Sequence, residues 1–319
     1  MTATRFPAIL TSPIAEEVLR GLCSFPKRLP PKLFYDAEGS RLFDQITETE
    51  EYYPTRTERG IFEQFVGEMA EQAGNNLTLV ELGAGSARKT RLLIEAILRR
   101  QLRLDFYPVD VSPAALREAV ASLNGDYSNL HVNPITADYS HHLPQLRDLP
   151  GRKLALFLGS TIGNFEPEEA VEFLVRVRQS LAPGDAILIG FDMRKPEATL
   201  QAAYNDRQGV TEAFNKNVLA RINSELGGEF DLDSFAHVAF WNERRSRIEM
   251  HLESRIEQRV WVNDLRRTFH FSRGERIHTE NSYKFAPETI ATLLCRSGLR
   301  VEKTWMDRNE WFSEVLARV

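Results

Sequence analysis

The sequence predicts an α/β fold in which a mostly parallel β-sheet is covered by helices on both faces. The middle of the chain alternates strand-length apolar runs with amphipathic stretches, as such folds do. The apolar runs are almost continuous in Val, Ile and Leu, which is typical of strands buried on both faces. The chain has 319 residues, 42% of them hydrophobic, so it can bury a large core without disulfides or a structural metal.

Turn and helix signals separate the predicted strands. Gly83-Ala84-Gly85 ends the first strand and precedes a helix that we expect to run to about residue 100. Ser112-Pro113 offers an N-cap residue followed by proline at the first helical position. A further helix is predicted from Pro167 to about residue 181. The predicted strands of this part are 77–82, 106–110, 131–137, 154–158 and 186–191.

The alternation breaks after about residue 193, and we predict a smaller inserted unit there. Two helical stretches, 197–206 and 211–226, are followed by a segment around Met250 in which apolar and charged residues alternate, as in a half-buried antiparallel strand. The turn residues at 272–275 predict a hairpin. Its two strands would be 269–271 and 277–283.

Strand and helix alternation resumes after the insertion. We predict a helix at 287–296 and strands at 301–305 and 311–317. The first 58 residues fit no strand-helix repeat, so we expect them to pack with the insertion. The predicted domains are therefore a discontinuous one, 1–58 with 193–284, and a core, 59–192 with 285–319.

Composition and charge exclude several classes of protein. The net charge of −5 disfavours a nucleic-acid binder. Two distant cysteines, Cys23 and Cys295, form neither a disulfide framework nor a zinc module. No apolar run approaches the roughly 18 residues of a membrane helix, and the N-terminus lacks a signal-peptide pattern. We expect a cytoplasmic monomer with no nucleic-acid or membrane partner.

The histidines indicate no metal site. The seven histidines show none of the spacings that place ligands on one helix or turn. The pair His141-His142 follows a predicted strand and is read as a solvated loop. We therefore predict a protein without a metal ion.

The glycine turn after the first strand is compatible with three cofactor classes. Glycines and a helix N-terminus allow a ligand to approach the backbone. The dinucleotide pattern requires glycine where Arg88 stands. The phosphate loop of NTPases also requires glycine there, but it matches otherwise and keeps an NTPase as an alternative. The third class is S-adenosylmethionine (SAM), which carries no phosphate and needs a close-approach turn and carboxylates.

Carboxylates follow three consecutive strands. Glu81 lies two residues before Gly83, Asp110 ends the next strand, and Asp138 follows the third. Because the carboxyl ends of parallel strands meet at one edge of a sheet, we expect these side chains to converge. Asp110 is suited to the ribose hydroxyls and Asp138 to the adenine amine. Together with the glycine turn, this arrangement favours a SAM-dependent methyltransferase.

Motifs outside this core carry a family resemblance. They are Leu33-Phe34-Tyr35-Asp36 with Gly39-Ser40, Leu42–Ile46, Glu51–Glu58, Phe157–Asn164 and Thr279–Phe285. In this order, over nearly the whole chain, they resemble the histidine N-alpha-methyltransferases of ergothioneine biosynthesis. The resemblance implies a Rossmann-like seven-stranded SAM-dependent methyltransferase core with an α+β substrate-binding domain. It also implies three successive methyl transfers onto the α-amine of L-histidine, which give hercynine.

The same resemblance implies a set of site residues. The residues facing SAM would be Gly83, Lys89, Asp110, Asp138 and Tyr139. The residues contacting histidine would be Asn164 and Tyr204 at its carboxylate, Glu280, Ser282 and Tyr52 at the imidazole, Phe43 and Phe214 along the methyl path, and Met250 in the side-chain pocket. Tyr35, which also lines that path, is the candidate catalytic residue. Position 281 is Asn and position 283 is Tyr at sites that vary in the family.

Other interpretations of these residues stay open. The aromatic residues also fit a plain core, Asn164 a turn or helix cap, and Glu280 a rim carboxylate. Within the enzyme class, the alternative is methylation of another free amino acid. From other classes, the alternatives are the NTPase and a silent SAM-binding module without turnover. The stretch 159–163 fits a hydrolase nucleophile motif only with Thr161 as the nucleophile.

Overall fold

The computed structural model describes residues 14–85, 87–139, 143 and 146–319. The loop predicted at His141-His142 lies outside the described residues. The chain divides into two compact units. The core unit is Thr47–Ala203, Trp241–Ile248 and Asn281–Val319, and the insert unit is Met1–Ile46, Tyr204–Phe240 and Glu249–Glu280.

The helices and strands of the described residues follow in chain order. The α-helices are α1 (Ala15–Cys23), α2 (Ala37–Glu48), α3 (Tyr53–Ala73), α4 (Thr90–Leu98), α5 (Pro113–Asp126), α6 (Pro167–Ser180), α7 (Glu197–Ala203), α8 (Val210–Leu226) and α9 (Pro287–Arg296). The strands are β1 (Lys27–Arg28), β2 (Leu77–Leu82), β3 (Leu104–Asp110), β4 (Leu130–Val132), β5 (Ile135–Thr136), β6 (Arg152–Phe157), β7 (Ala186–Asp192), β8 (Phe235–Asn242), β9 (Arg247–Ser254), β10 (Gln258–Val262), β11 (Arg267–Phe271), β12 (Arg276–Tyr283), β13 (Arg300–Met306) and β14 (Phe312–Arg318).

The core unit is built on one large sheet with the strand order β13-β14-β7-β6-β2-β3-β4. The short strand β5 pairs with β3 as well, farther along β3 than β4 does. Strands β2, β3, β4, β6 and β7 run parallel, whereas β14 is antiparallel to both β7 and β13. This sheet confirms the predicted α/β core. The predicted strand 131–137 is instead two short strands, β4 and β5, because Pro134 between them has no N–H for a ladder.

Alternate residues of the buried strands face two hydrophobic clusters. Leu79 and Phe106 pack with α3 and α4 residues such as Phe62 on one side of the sheet. Val80 and Phe157 pack with α6 and α9 residues on the other. Both faces are therefore covered, which is why the central strands read as continuous apolar runs.

The insert unit contains most of a second, four-stranded sheet in the order β1-β12-β9-β8, and a separate β10-β11 pair. The hairpin predicted around 272–275 is wrong in its pairing. The turn is present, with Glu275 N donating to Ser272 O at 3.0 Å. However, β11 pairs with β10, where Phe269 lies opposite Val260, while β12 pairs with β1 and β9. The turn therefore joins two sheets.

The helix predicted at 197–206 ends earlier, at Ala203. Asp206 instead accepts hydrogen bonds from Val210 N at 2.9 Å and Thr211 N at 2.7 Å. Its carboxylate thereby binds the first turn of α8, which is the usual role of an acidic residue before a helix.

Among the helices of the described residues, none combines the length and the apolar composition that crossing a membrane requires.

Candidate active site

The glycine turn after β2 brings the backbone close to Tyr139. Gly83 has φ +78 and Gly85 has φ +49, a region that glycine enters without steric cost. A Cβ on Gly83 would lie only 3.1 Å from Tyr139 Oη. Gly83 N donates to Val109 O at 2.8 Å, which anchors the turn to the end of β3. The turn therefore needs glycine for its conformation and for its approach to Tyr139.

Asp110, the last residue of β3, organises the same edge of the sheet. Its Oδ2 accepts a hydrogen bond from Gly85 N at 3.0 Å, and its Oδ1 accepts one from Ser112 N at 2.9 Å. Ser112 in turn caps α5 by accepting from Ala115 N. A carboxylate has about four lone-pair positions, so each oxygen of Asp110 can accept a further bond from a ligand hydroxyl.

Tyr139 lies between this edge and the aromatic core. Its ring centroid is 5.8 Å from Phe157 and 6.1 Å from Phe173. Burial, together with the charges of Asp110 and Asp138, raises the pKa of Tyr139 above its ordinary value. The phenol therefore keeps its proton and remains a donor. Of the residues predicted to face SAM, the structure brings Gly83, Asp110, Asp138 and Tyr139 together.

Lys89, the other residue predicted to face SAM, forms an ion pair with Glu58. The Glu58 side chain is fully buried, and its Oε1 also accepts a hydrogen bond from Gly159 N. A Cβ on Gly159 would lie 3.5 Å from Lys89 Nζ. Glu58 was not predicted as a site residue, although it ends the motif Glu51–Glu58. A contact between Lys89 and SAM stays a prediction.

Glu81 differs from the expectation that it joins Asp110 and Asp138 at the sheet edge. Its carboxyl is buried within β2, where both oxygens lie 2.7 Å from Thr90 Oγ1. Burial raises the pKa of Glu81 to about 8. The carboxyl therefore links β2 to α4 through Thr90, and it still lies near enough to Asp110 for the two charges to interact.

The raised pKa of Glu81 predicts how stability depends on pH. An unfolded Glu81 loses its proton near the ordinary pKa of 4.5, whereas the folded chain holds it up to about 8. The folded state binds more protons in this window, so the free energy of unfolding should fall as the pH rises through it. Glu81→Gln keeps an acceptor for Thr90 and should lose this dependence.

Urea denaturation of both proteins at a series of pH values measures this effect. The stability of Glu81→Gln relative to the original chain should rise steadily across the window. Glu63→Gln removes an exposed carboxylate of α3 and should show no such trend. Parallel curves for Glu81→Gln and the original chain would contradict the prediction.

Asn164 lies beyond the carboxyl end of β6, in a short 3-10 helix at Thr161–Asn164. Ser160 before it has φ +56, and its hydroxyl accepts a hydrogen bond from Asp192 N at 2.8 Å. A Cβ on Gly163 would lie 2.9 Å from Tyr283 O. The tight packing of this loop fixes the position from which Asn164 projects.

A buried ionic cluster positions Ser282. Asp192, at the end of β7, accepts a hydrogen bond from Tyr53 Oη at 2.7 Å and pairs with Lys284 at 2.7 Å and with Lys195. Burial opposes its charge, but Lys284 and Lys195 hold the pKa of Asp192 below its usual value. Lys284 Nζ also donates to Ser282 Oγ at 2.8 Å. Lys284 and Asp192 were not predicted as site residues, although Lys284 lies inside the motif Thr279–Phe285.

The insert unit brings Tyr35, Phe43 and Phe214 into one aromatic cluster. The ring centroids are 5.9 Å apart for Tyr35 and Phe43, 5.7 Å for Tyr35 and Phe214, and 6.0 Å for Phe43 and Phe214. Such tilted and edge-on pairs each stabilise by about 0.5–1.5 kcal/mol beyond their buried area. Three residues that the resemblance implied as lining the methyl path therefore lie in contact with one another.

Asp36 and Gly39 explain the motif that holds Tyr35. Asp36 Oδ1 accepts hydrogen bonds from Gly39 N at 2.6 Å and from Asn217 Nδ2 at 2.9 Å. A Cβ on Gly39 would lie 1.6 Å from Phe34 O, so only glycine fits there. Asn217, on α8, is a supporting residue that the sequence analysis did not identify.

A second network in the insert unit holds the strands of Met250 and Glu280. Thr279 Oγ1 donates to Met250 O at 3.0 Å and lies 2.7 Å from Asn215 Oδ1. Asn215 is fully buried on α8, and its amide also donates to His251 O at 3.0 Å. Met250 is 2% exposed and Glu280 is 8% exposed. Both are therefore held in place by backbone contacts of β9 and β12.

Two further predicted site residues, Tyr204 and Tyr52, are largely buried. Tyr204 is 7% exposed, and its carbonyl lies 2.9 Å from His237 Nε2. Tyr52 is 9% exposed and immediately precedes α3 in the core unit. Their roles toward a substrate stay predictions.

Comparison with known proteins identifies the family. The model of the family described as histidine-specific, SAM-dependent methyltransferases matches residues 14–319. A histidine N-alpha-methyltransferase of Mycolicibacterium smegmatis is 46% identical over 294 residues, which are 92% of this chain and 91% of that protein. The same-named protein of Mycobacterium tuberculosis is 43% identical over 304 residues, 95% and 94% of the two chains.

A more distant relative is ergothioneine biosynthesis protein 1 of Schizosaccharomyces pombe. It is 33% identical over 267 residues, which are 81% of this chain but 34% of that longer protein. The match to the family model runs from α1 to the last strand and includes every motif that carried the resemblance. The chain therefore belongs to the family of histidine-specific, SAM-dependent methyltransferases.

Proposed function

We propose that this chain transfers three methyl groups from SAM to the α-amine of L-histidine, which gives hercynine, an early step of ergothioneine biosynthesis. The observation that carries the proposal is the cluster of Gly83, Asp110 and Tyr139 at the sheet edge of a chain that belongs to this family. We also propose that the enzyme is a cytoplasmic monomer without a nucleic-acid partner, and that 1–58 with 193–284 form its substrate domain.

The residues at the sheet edge fit SAM. The exposed backbone of Gly83 permits close approach, Asp110 has acceptor capacity for ribose hydroxyls, and Asp138 lies close enough to Tyr139 to raise its pKa. When bound, SAM supplies a methyl group that its sulfonium already activates. The transfer therefore needs no Lewis acid, and we propose no metal ion in the reaction itself.

The chain's own contribution to the chemistry is to position a neutral amine. A model α-amine has a pKa of about 7.7–8.0, so an appreciable fraction is unprotonated near neutral pH. Tyr35 orients this amine, and alignment of this kind reaches effective molarities on the order of 10⁵–10⁸ M. In each transfer the amine would take the methyl group and S-adenosylhomocysteine would leave; after the first and second transfers the ammonium would lose a proton to water before the next attack. The final nitrogen is a bulky cation, and the faces of Phe43 and Phe214 would stabilise it by about 0.5–2 kcal/mol each.

The remaining predicted residues recognise the histidine substrate. Asn164 and Tyr204 hold the α-carboxylate through neutral hydrogen bonds. Glu280 and Ser282 bind the two imidazole nitrogens with help from Tyr52, and Met250 lines the side-chain pocket. Lys284 supports this role because its bond to Ser282 orients the hydroxyl.

Incubation of the purified chain with labelled SAM and each free amino acid, followed by mass analysis, tests this function. Trimethylated histidine should be the dominant product. Methylation of another amino acid would change the substrate, and SAM binding without any product would indicate a silent module. Binding of ATP with magnesium in place of SAM would favour the NTPase.

Asn164→Ala should weaken histidine binding moderately. Loss of one neutral hydrogen bond, which contributes about 0.5–1.5 kcal/mol, raises the KM for histidine by roughly twofold to tenfold. The KM for SAM should not change. Steady-state kinetics measure both, and Asn133→Ala, at an exposed asparagine of the core unit, is the matched control. A KM for histidine within twofold of the original would make Asn164 a turn residue.

A further inference from the structure

The insert unit holds a second group of ligand-type side chains. Glu249 and His251 lie two residues apart on β9, so their side chains leave the same face of the strand. His278 lies on β12, the neighbouring strand of the sheet. One donor atom from each of the three lies within 4.8 Å of the others. Two imidazoles and one carboxylate therefore lie in one cluster.

The surroundings of these side chains are unusual for polar groups. Glu249 and His251 are only 11% and 12% exposed at the side chain, and Glu249 Oε2 lies 3.2 Å from His251 Nε2. Phe240 stacks on the His251 ring, with the centroids 5.5 Å apart and the planes at 7°. The ring of His278 lies 4.9 Å from that of His251.

The two ring nitrogens of His251 differ, and Nε2 is the one that faces Glu249. Its Nδ1 is buried and has no hydrogen-bond partner among the described residues. A buried polar atom of this kind destabilises the fold unless a partner satisfies it. A neutral imidazole offers a lone pair, which is the form in which histidine binds metals.

We propose that Glu249, His251 and His278 bind a divalent first-row transition ion such as Zn²⁺. Imidazole nitrogens with one carboxylate suit zinc, iron, nickel and copper, whereas Mg²⁺ and Ca²⁺ prefer oxygen ligands alone. Three protein ligands leave at least one coordination position for water. The spacing of the histidines does not reveal the site, because the third ligand comes from another strand.

Binding of this ion cross-links two strands that carry proposed substrate residues. Met250 lies between two of the ligands on β9, and Glu280 follows His278 by two residues on β12. This consequence rests on the proposed function, whereas the ion site does not. We expect the ion to raise the thermal stability of the chain and to leave the chemical step to SAM.

Metal titration of the untagged full-length chain tests the proposal. The chain is first dialysed against EDTA and then titrated with Zn²⁺ by calorimetry and with Co²⁺ by visible absorption. Histidine is left out of the buffer because it chelates both ions. We expect one ion to bind per chain. The chain loaded with Co²⁺ should show the visible absorption bands that are typical of Co²⁺ bound by nitrogen and oxygen ligands.

Variants assign the binding to these residues. His251→Gln and Glu249→Gln should each lower the affinity at least about tenfold, since even loss of a partner that only supports a metal ligand does so. His270→Gln, at an exposed histidine of β11, should bind as the original chain does. Thermal unfolding in EDTA identifies a variant that no longer folds, and the other variant then decides.

Unchanged affinity in a folded variant, or the absence of saturable binding, would overturn the site. These outcomes are separate from the fate of the proposed function. If the chain binds the ion but does not methylate histidine, the ion site is supported and the proposed function is contradicted. If it methylates histidine but binds no ion, the function is supported and the ion site is contradicted.

Discussion

Asp110→Ala is expected to lower the affinity for SAM by at least about tenfold, because a hydrogen bond to a charged group contributes about 1.5–3 kcal/mol. The substitution removes the acceptor proposed for the ribose hydroxyls. It also releases Gly85 N and Ser112 N, the two backbone donors that Asp110 holds at 3.0 Å and 2.9 Å. The loss should therefore exceed that of a ligand contact alone. Titration calorimetry with SAM measures it.

Two further variants separate these contributions. Asp110→Asn keeps one acceptor oxygen without the charge, so its affinity should lie between those of the original chain and Asp110→Ala. Asp105→Asn removes a carboxylate from the same strand that pairs with Arg103 at the surface, and it should bind SAM normally. Unchanged affinity in Asp110→Ala would remove Asp110 from the cofactor site.

Glu280→Ala is expected to lower the ratio of kcat/KM for histidine to kcat/KM for phenylalanine by at least about tenfold, again through a charge-assisted hydrogen bond. A neutral imidazole has one donor and one acceptor, and a carboxylate with a hydroxyl can satisfy both. The phenylalanine ring offers these groups neither a donor nor an acceptor, and sites that hydrogen-bond a substrate reject such analogues strongly. The variant should lose most activity on histidine and less on phenylalanine.

Matched variants make the outcome specific. Glu280→Gln retains an acceptor and should give an intermediate ratio. Glu253→Gln changes a carboxylate on β9 that pairs with Arg276, and should leave the ratio unchanged. If Glu280→Ala lowers overall activity while the ratio stays the same, Glu280 supports the structure only. The identity of the methylated amino acid would then have to be determined again.

The sequence predicted the elements whose signals are local. The helix at 287–296 is observed at Pro287–Arg296, where proline starts it and Gly298 follows its end. The strands of the core sheet also lie close to where their apolar runs predicted them, except that 131–137 is divided into β4 and β5. Helix α3 was not predicted, and the partners of β11 and β12 were predicted wrongly. Strand pairing depends on which edges meet in the folded chain, and spacing along the chain carries little of that information.

For the candidate site, the sequence by itself determined the glycine turn, the strand-end carboxylate Asp110 and, through the resemblance, the aromatic cluster of Tyr35. The glycine turn and Asp110 follow from residues that lie close together along the chain, whereas the cluster joins Tyr35 and Phe43 to the distant Phe214. Only the tertiary structure decided that Glu81 is buried, that Lys284 holds Ser282, and that Glu249 and His251 meet His278. The physical reason is that burial and contacts between distant segments set both the pKa and the partners of these groups, and both arise only when the sheets form.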